Sequence, residues 1–260
     1  GLIEVFLVDS EVKGYLERSL LDAATRTVQH SRLVGYKDSD VWVRSVCQEI
    51  GELIPSLARS TVVIYGTDRL ALRTAVMLAE QGVEVTLTDA DTARLDSCIE
   101  ALCAVAHGAV RMRAEGLSAA TADADIAVAY RRDPAPITAA VVKDLAPGAV
   151  VFDAGIGAVS PDALRAAHQR GLRVIRPDMR AAMAAEVDFV LGVRRLVRDH
   201  MGKGELAGVP VVAGGVVGNR GDVVVDSMSR PSRVLGVADG TGRVLYGKNP
   251  EFDEAVQKVE

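Results

Sequence analysis

The chain has 260 residues, 49% of them hydrophobic but only 4% aromatic, so its core must be built from aliphatic side chains. That composition favours helices on an aliphatic parallel sheet over an aromatic-rich all-β protein, and a net charge of −5 argues against a nucleic-acid binder. Cys47, Cys98 and Cys103 cannot all pair and show no metal-ligand spacing; with no leader and no apolar run of spanning length, a cytoplasmic protein with no metal and no membrane partner is expected.

Residues 2–9 (LIEVFLVD) are rich in aliphatic and β-branched side chains and read as a strand. Ser10 then caps a helix in which Val12, Tyr15, Leu16, Leu20 and Leu21 recur at helical spacing. A polar stretch at 34–40 reads as a loop, and Asp40 caps a second amphipathic helix running to Leu57, interrupted near Pro55. From Thr61 onward strands and helices alternate. Strands are predicted at 61–65, 83–88, 109–113, 125–130, 149–153 and 172–175, and helices include 92–107, 136–145 and 160–169, the last opened by Ser160-Pro161. That alternation implies a doubly wound parallel α/β sheet. A helix spans 181–200, is broken by Gly202, Gly204 and Gly208, and gives way to short strands joined by glycine- and proline-containing turns. The end, 252–260, reads as a final helical turn.

The strand at 2–9 needs neighbours, because isolated strands are not stable. Pairing economy assigns it to the C-terminal strands. Residues 1–59 and 182–260 then build a second, small α+β domain from both termini, around a doubly wound domain at 60–181. Strand exchange between the two halves of a homodimer is the competing arrangement.

The stretch from Thr61 to Asp89 carries most of the chemistry. It reads as strand, tight turn, helix, glycine break and a second strand ending in a carboxylate, the layout of a dinucleotide-binding βαβ unit. Gly66, Asp68 and Ala71 occupy the three positions of the G-x-G-x-x-G fingerprint. Thr67 and Arg69 flank a helix N-terminus, whose partial positive charge favours phosphate. Asp68 either sets a carboxylate where a pyrophosphate would approach or caps the helix. Asp89, 23 positions after Gly66, is placed to accept from ribose hydroxyls and favours NAD over NADP, because it repels a 2′-phosphate.

Ligands of such sheets bind past the carboxyl ends of the strands. Arg131, in the loop after the fourth strand, is assigned to the cofactor. Arg132, Arg176 and Arg180 are candidates for a substrate carboxylate, which guanidinium grips in two-pronged fashion, with surface pairing to Asp133 and Asp178 as the alternative. Asp153, Asp178 and Lys203, the last close to His200, are the candidate acid/base groups.

The segment VVIYGTDRLALRTAVMLAEQGVEVTLTDADTARL resembles the nucleotide-binding segment of alanine dehydrogenase and the related transhydrogenases, and DADIAVAYRRDPAPITAAVVKDLAPGAVVFDAGIG is similar to the segment that follows it there. The layout extends more loosely to methylene-tetrahydrofolate and shikimate dehydrogenases and to the pyrrolysine-pathway amino-acid dehydrogenase. The resemblance implies a Rossmann sheet and nicotinamide chemistry at an amine or imine carbon, with Gly66, Ala71 and Asp89 in the matching positions. The catalytic half of alanine dehydrogenase is not recognisable in residues 1–60.

Together these features predict an NAD(P)-dependent oxidoreductase acting on an amino acid, imine or related small carboxylate, and assembled as a homo-oligomer. A catalytically silent Rossmann protein that retains a nucleotide or serves as an assembly subunit is the alternative, supported by Asp68 and by the lack of a histidine in the strand-end loops. A methyltransferase fits poorly with the strands that follow the long helix.

Overall fold

The first strand finds its partner locally. The computed structural model describes residues 3–14, 16–107, 111–131, 134–247 and 250–260. Strands β1 (Val5–Asp9) and β2 (Arg32–Tyr36) pair in parallel, Val5 opposite Arg32 and Asp9 opposite Tyr36, with helix α1 (Leu20–Thr25) between them in the chain. The pairing expected with the C-terminal strands is therefore corrected, since residues 20–36 already bring the chain back alongside β1. The helix expected from Ser10 begins only at Leu20, capped by Ser19, whose hydroxyl accepts from the Asp22 amide at 3.1 Å; Tyr15 lies outside the described residues. The expected loop at 34–40 is instead the end of strand β2 and the start of the next helix, joined at Lys37. Gly35 belongs in that strand because of close approach: a Cβ there would meet Leu21 Cδ2 at 2.7 Å. Helix α2 (Asp38–Leu53) starts earlier than its expected cap at Asp40, and its Val43, Val46, Cys47 and Ile50 enter the core of the main sheet.

That sheet follows in strict alternation: β3 (Thr61–Tyr65), α3 (Arg69–Glu80), β4 (Glu84–Thr88), α4 (Thr92–Val105), β5 (Arg111–Ala114), α5 (Leu117–Thr121), β6 (Ile126–Ala129), α6 (Ala139–Asp144), β7 (Val150–Asp153), α7 (Pro161–Gln169) and β8 (Arg173–Ile175). Its six strands are all parallel, in the order β5-β4-β3-β6-β7-β8. The short helix α5 was not foreseen, and Ala109 and Val110 of the expected third strand lie outside the described residues. The central strands read as unbroken apolar runs because both faces are covered. Side chains alternate along each strand. Val62, Ile64, Val85, Leu87, Val128 and Phe152 meet α2, α3 and α4 on one face. Val63, Tyr65, Ala127, Ala129 and Val151 meet α5, α6 and α7 on the other. The chain order reverses between β3 and β6, so a crevice opens past their carboxyl ends, where such sheets bind ligands.

The chain divides into two compact units, Gly1–Ala184 and Ala185–Glu260, with the boundary inside helix α8 (Arg180–Arg195). The last turn of the helix expected to reach His200 is π-helical, Leu196–His200. Strands β9 (Gly202–Leu206), β10 (Val209–Ala213), β11 (Val223–Val225), β12 (Val234–Ala238) and β13 (Val244–Leu245) form a mixed sheet of order β13-β12-β11-β10-β9. Gly202 and Gly204 thus open a strand. Helix α9 (Asp253–Val259) lays Val256 and Val259 against Val211, Val223 and Val237. The small second sheet is present, but residues 185–260 build it without the N-terminal segment.

Candidate nucleotide and substrate site

The turn after β3 is fixed by backbone geometry. Gly66 has φ +115° and donates its amide to the Thr88 carbonyl at 2.8 Å, a conformation that favours glycine. Thr67 is buried, and its hydroxyl donates to Asp89 Oδ2 at 2.9 Å. Asp68 caps α3: its Oδ1 accepts from the amides of Leu70 at 2.9 Å and Ala71 at 3.1 Å. The carboxylate therefore occupies part of the anion-binding end of the helix. Asp91 caps α4, and Arg94 of that helix donates to the Thr67 carbonyl at 3.2 Å.

Two adjoining hollows flank this turn and share Gly66, Asp89 and Arg131. One, about 200 Å³, is lined mainly by apolar groups of Tyr65, Leu117, Pro134 and Pro136. The other, about 460 Å³, is bordered by the polar and charged residues Thr67, Asp68, Asp91 and Arg94. Thr88 Oγ1, on the wall of the apolar slot, is buried with no hydrogen-bond partner among the described residues. Burial pushes the Asp89 carboxyl upward, but hydrogen bonds from the amides of Asp91, Thr67 and Ala90 and from the Thr67 hydroxyl outweigh it and hold the group below its ordinary value. It is thus an ionised acceptor beside an apolar slot. These features fit the adenosine end of a dinucleotide. A pyrophosphate at α3 would compete with Asp68 for its amides, with Arg94 supplying positive charge nearby.

Beyond β6 and β7 lies a third hollow of about 310 Å³, whose lining includes Lys13, Asp38, Trp42, Arg69, Tyr130 and Ile156. Lys13 Nζ lies 2.9 Å from Asp9 and 3.0 Å from Asp38, with Glu11 at 3.8 Å. Glu11 accepts from the Ser39 amide at 2.8 Å and from the Ser39 hydroxyl, and meets Arg69 at 3.4 Å. Burial works against the charge on Lys13, yet its bonds to Asp9 and Asp38 raise it well above the ordinary lysine value. Asp9 and Glu11 are likewise disfavoured by burial, but their hydrogen bonds and the cations hold both below the usual carboxylate range. The Trp42 indole donates to the Ala154 carbonyl at 3.0 Å, tying α2 to the loop after β7.

Of the sequence candidates, Gly66, Thr67, Asp68, Asp89 and Arg131 are brought together around the first two hollows, while Arg69 borders the third. Asp153 is buried under its own loop, accepting from Gly157 at 2.8 Å and Ala158 at 2.7 Å, and it takes Arg176 Nε at 3.1 Å. Asp178 is exposed and gripped by Arg180 Nε at 2.8 Å, which holds its carboxyl down to about 2. Lys203 stands on β9 of the second unit, outside the lining of the three hollows. Arg132 lies outside the described residues. Lys13, Glu11, Asp38, Ser39 and Trp42 were missed. One available signal was Asp9, the last residue of β1, much as Asp89 directly follows the last residue of β4. Among the described residues no His/Cys/Asp/Glu group has metal-site geometry, and no helix is long and apolar enough to cross a membrane.

No protein-family model and no curated protein matches the sequence. Solved structures do match. They include a dipicolinate synthase chain from Bacillus halodurans, at 15% identity over 72% of this chain and 65% of that one with TM-score 0.44. Quinate dehydrogenase from Corynebacterium glutamicum in complex with NAD matches at 16% over 64% and 70%, TM-score 0.42. Shikimate dehydrogenase from Mycobacterium tuberculosis matches at 20% over 61% and 59%, TM-score 0.45. The chain spans about two thirds of the length of the dipicolinate synthase chains it matches. At these identities the likeness is one of fold alone; the doubly wound parallel sheet itself is established by its strand order.

Proposed function

We propose that the protein is a nicotinamide-nucleotide oxidoreductase acting on a small polar substrate, with NAD preferred over NADP. One observation carries this reading. The ionised Asp89 beside an apolar slot, and the caged ammonium of Lys13, flank the same reversal of strand order between β3 and β6. Tyr65, Leu117, Pro134 and Pro136 would hold the adenine, Asp89 the adenosine ribose, and the β6 and β7 loops the nicotinamide end. The bound nucleotide supplies hydride transfer.

The chain's own residues then account for the polar half of the reaction. Asp9 and Asp38 keep Lys13 charged and directed at the hollow, where it donates a hydrogen bond to an oxygen on the reacting carbon. Such a fixed hydrogen-bond donor stabilises charge developing on oxygen. Among the amino acid, imine and related carboxylate suggested by the sequence, this supports an oxo or hydroxy carboxylate. Arg69 at the rim is the cation best placed for the carboxylate. Trp42 lines the hollow and ties its wall to the loop after β7.

The test is to follow NADH oxidation with a panel of small oxo acids, with and without ammonia. Turnover independent of ammonia supports the proposal. The Asp68 cap favours a second reading, a silent nucleotide-retaining protein, for which NADH binds and no member of the panel turns over.

A further inference from the structure

Among the described residues three other than glycine have positive φ: Asp123 at 55°, Ala207 at 49° and Ile156 at 55°. Ala207 sits in the tight β9–β10 turn, and Asp123 in the turn before β6. Ile156 is different, because a β-branched side chain is especially unfavourable in this region. Its surroundings enforce the conformation. The Asp153 carboxylate accepts from Gly157 and Ala158, the Ile156 amide donates to the Asp153 carbonyl at 3.3 Å, and the Gly155 amide donates to the Ala129 carbonyl at 3.0 Å. On the other side Trp42 holds Ala154. Gly155 is pressed so closely on Tyr130 that a Cβ would lie 1.9 Å from the Tyr130 carbonyl oxygen.

This over-determined loop ends in an apolar side chain left 48% exposed, on the wall of a hollow otherwise supplied with charge by Glu11, Lys13, Asp38 and Arg69. Backbone strain that the surroundings enforce is a signature of functional positions. A strained isoleucine contributes nothing to folding that glycine or asparagine, both tolerant of positive φ, would not supply with less strain. We infer that Ile156 is a positioning residue, held over the hollow to pack against the face of the nicotinamide ring and keep water from the Lys13 side of it. The inference rests on the dinucleotide reading above and adds to it the residue that orients the ring.

The experiment compares Ile156→Asn and Ile156→Leu with the parent protein, by calorimetric titration with NADH and by thermal unfolding. Ile156→Asn is expected to keep or raise Tm while its Kd for NADH rises about tenfold, as for loss of roughly half of a buried aliphatic contact. Ile156→Leu, which keeps the apolar contact, is expected to bind like the parent. An asparagine variant that binds as tightly as the parent overturns the inference, and so does one that loses Tm and affinity together. A parent that binds no NADH refutes the dinucleotide reading itself, and the inference with it.

Discussion

The Thr67 hydroxyl donates to the Asp89 carboxylate at 2.9 Å, joining the glycine turn after β3 to the end of β4. The bond leaves Asp89 ionised and oriented, with acceptor capacity still turned toward both hollows. Asp89→Ala should therefore weaken NAD by about tenfold or more, the scale of a charge-assisted hydrogen bond. Thr67→Val should weaken it less. A calorimetric titration of each variant checks the order, and equal binding by Asp89→Ala would remove the ribose assignment.

Asp68 couples stability to affinity in opposite directions. Asp68→Ala removes the α3 cap and should destabilise the protein by about 0.5–2 kcal/mol in urea unfolding. It also frees the Leu70 and Ala71 amides and deletes a negative charge, so dinucleotide affinity should rise. Loss of stability with unchanged affinity would mean that the pyrophosphate does not approach α3.

Lys13→Met should leave dinucleotide binding intact and abolish most turnover. It also strips the shared cation from Asp9, Glu11 and Asp38, and should cost about 1–3 kcal/mol at pH 7. The sign with pH follows from the shifts. Asp9 and Glu11 titrate below their ordinary values when folded, so their stabilisation is complete above about pH 4 and is lost as pH falls through the depressed values. Lys13 is raised, so its share is present below about pH 10.4 and fades only as pH rises through the raised value. The gap between parent and Lys13→Met should therefore narrow on acidification below about pH 4, measured by urea unfolding at stepped pH.

Gly155→Ala should cost at least the upper end of the 1–3 kcal/mol typical of overpacking, because its new Cβ meets the Tyr130 carbonyl oxygen at 1.9 Å. Gly51→Ala, in α2 with nothing within 4 Å of the new Cβ, should instead stabilise by about 0.5–1 kcal/mol. Thermal unfolding of the two variants separates close approach from a general effect of removing glycine.

The doubly wound sheet was legible because covering both faces forces unbroken apolar strands such as TVVIY and VVFD, and because Gly66 and Asp89 mark the ends of its first unit. The N-terminal segment was not. Val12, Leu16 and Leu20 carry helical spacing, but Lys13 and Glu11 are drawn out of any helix by Asp9, Asp38 and Ser39. RLVGY carries a glycine and runs into Lys37-Asp38, which reads as loop until α1 is seen packed on Gly35. The polar site is assembled from residues 9–13, 38–42 and 69, with no motif at fixed spacing. Strand-end position instead drew notice to Asp153 and Asp178, whose carboxylates order their own loops.

The central claim is that a nicotinamide dinucleotide binds across the β3–β6 reversal. Its most direct test is calorimetric titration of the full chain with NAD, NADH, NADP and NADPH. Saturable one-to-one binding of NAD or NADH, stronger than either phosphorylated form and weakened in Asp89→Ala, is the result this account predicts. Absence of binding by all four nucleotides would contradict it.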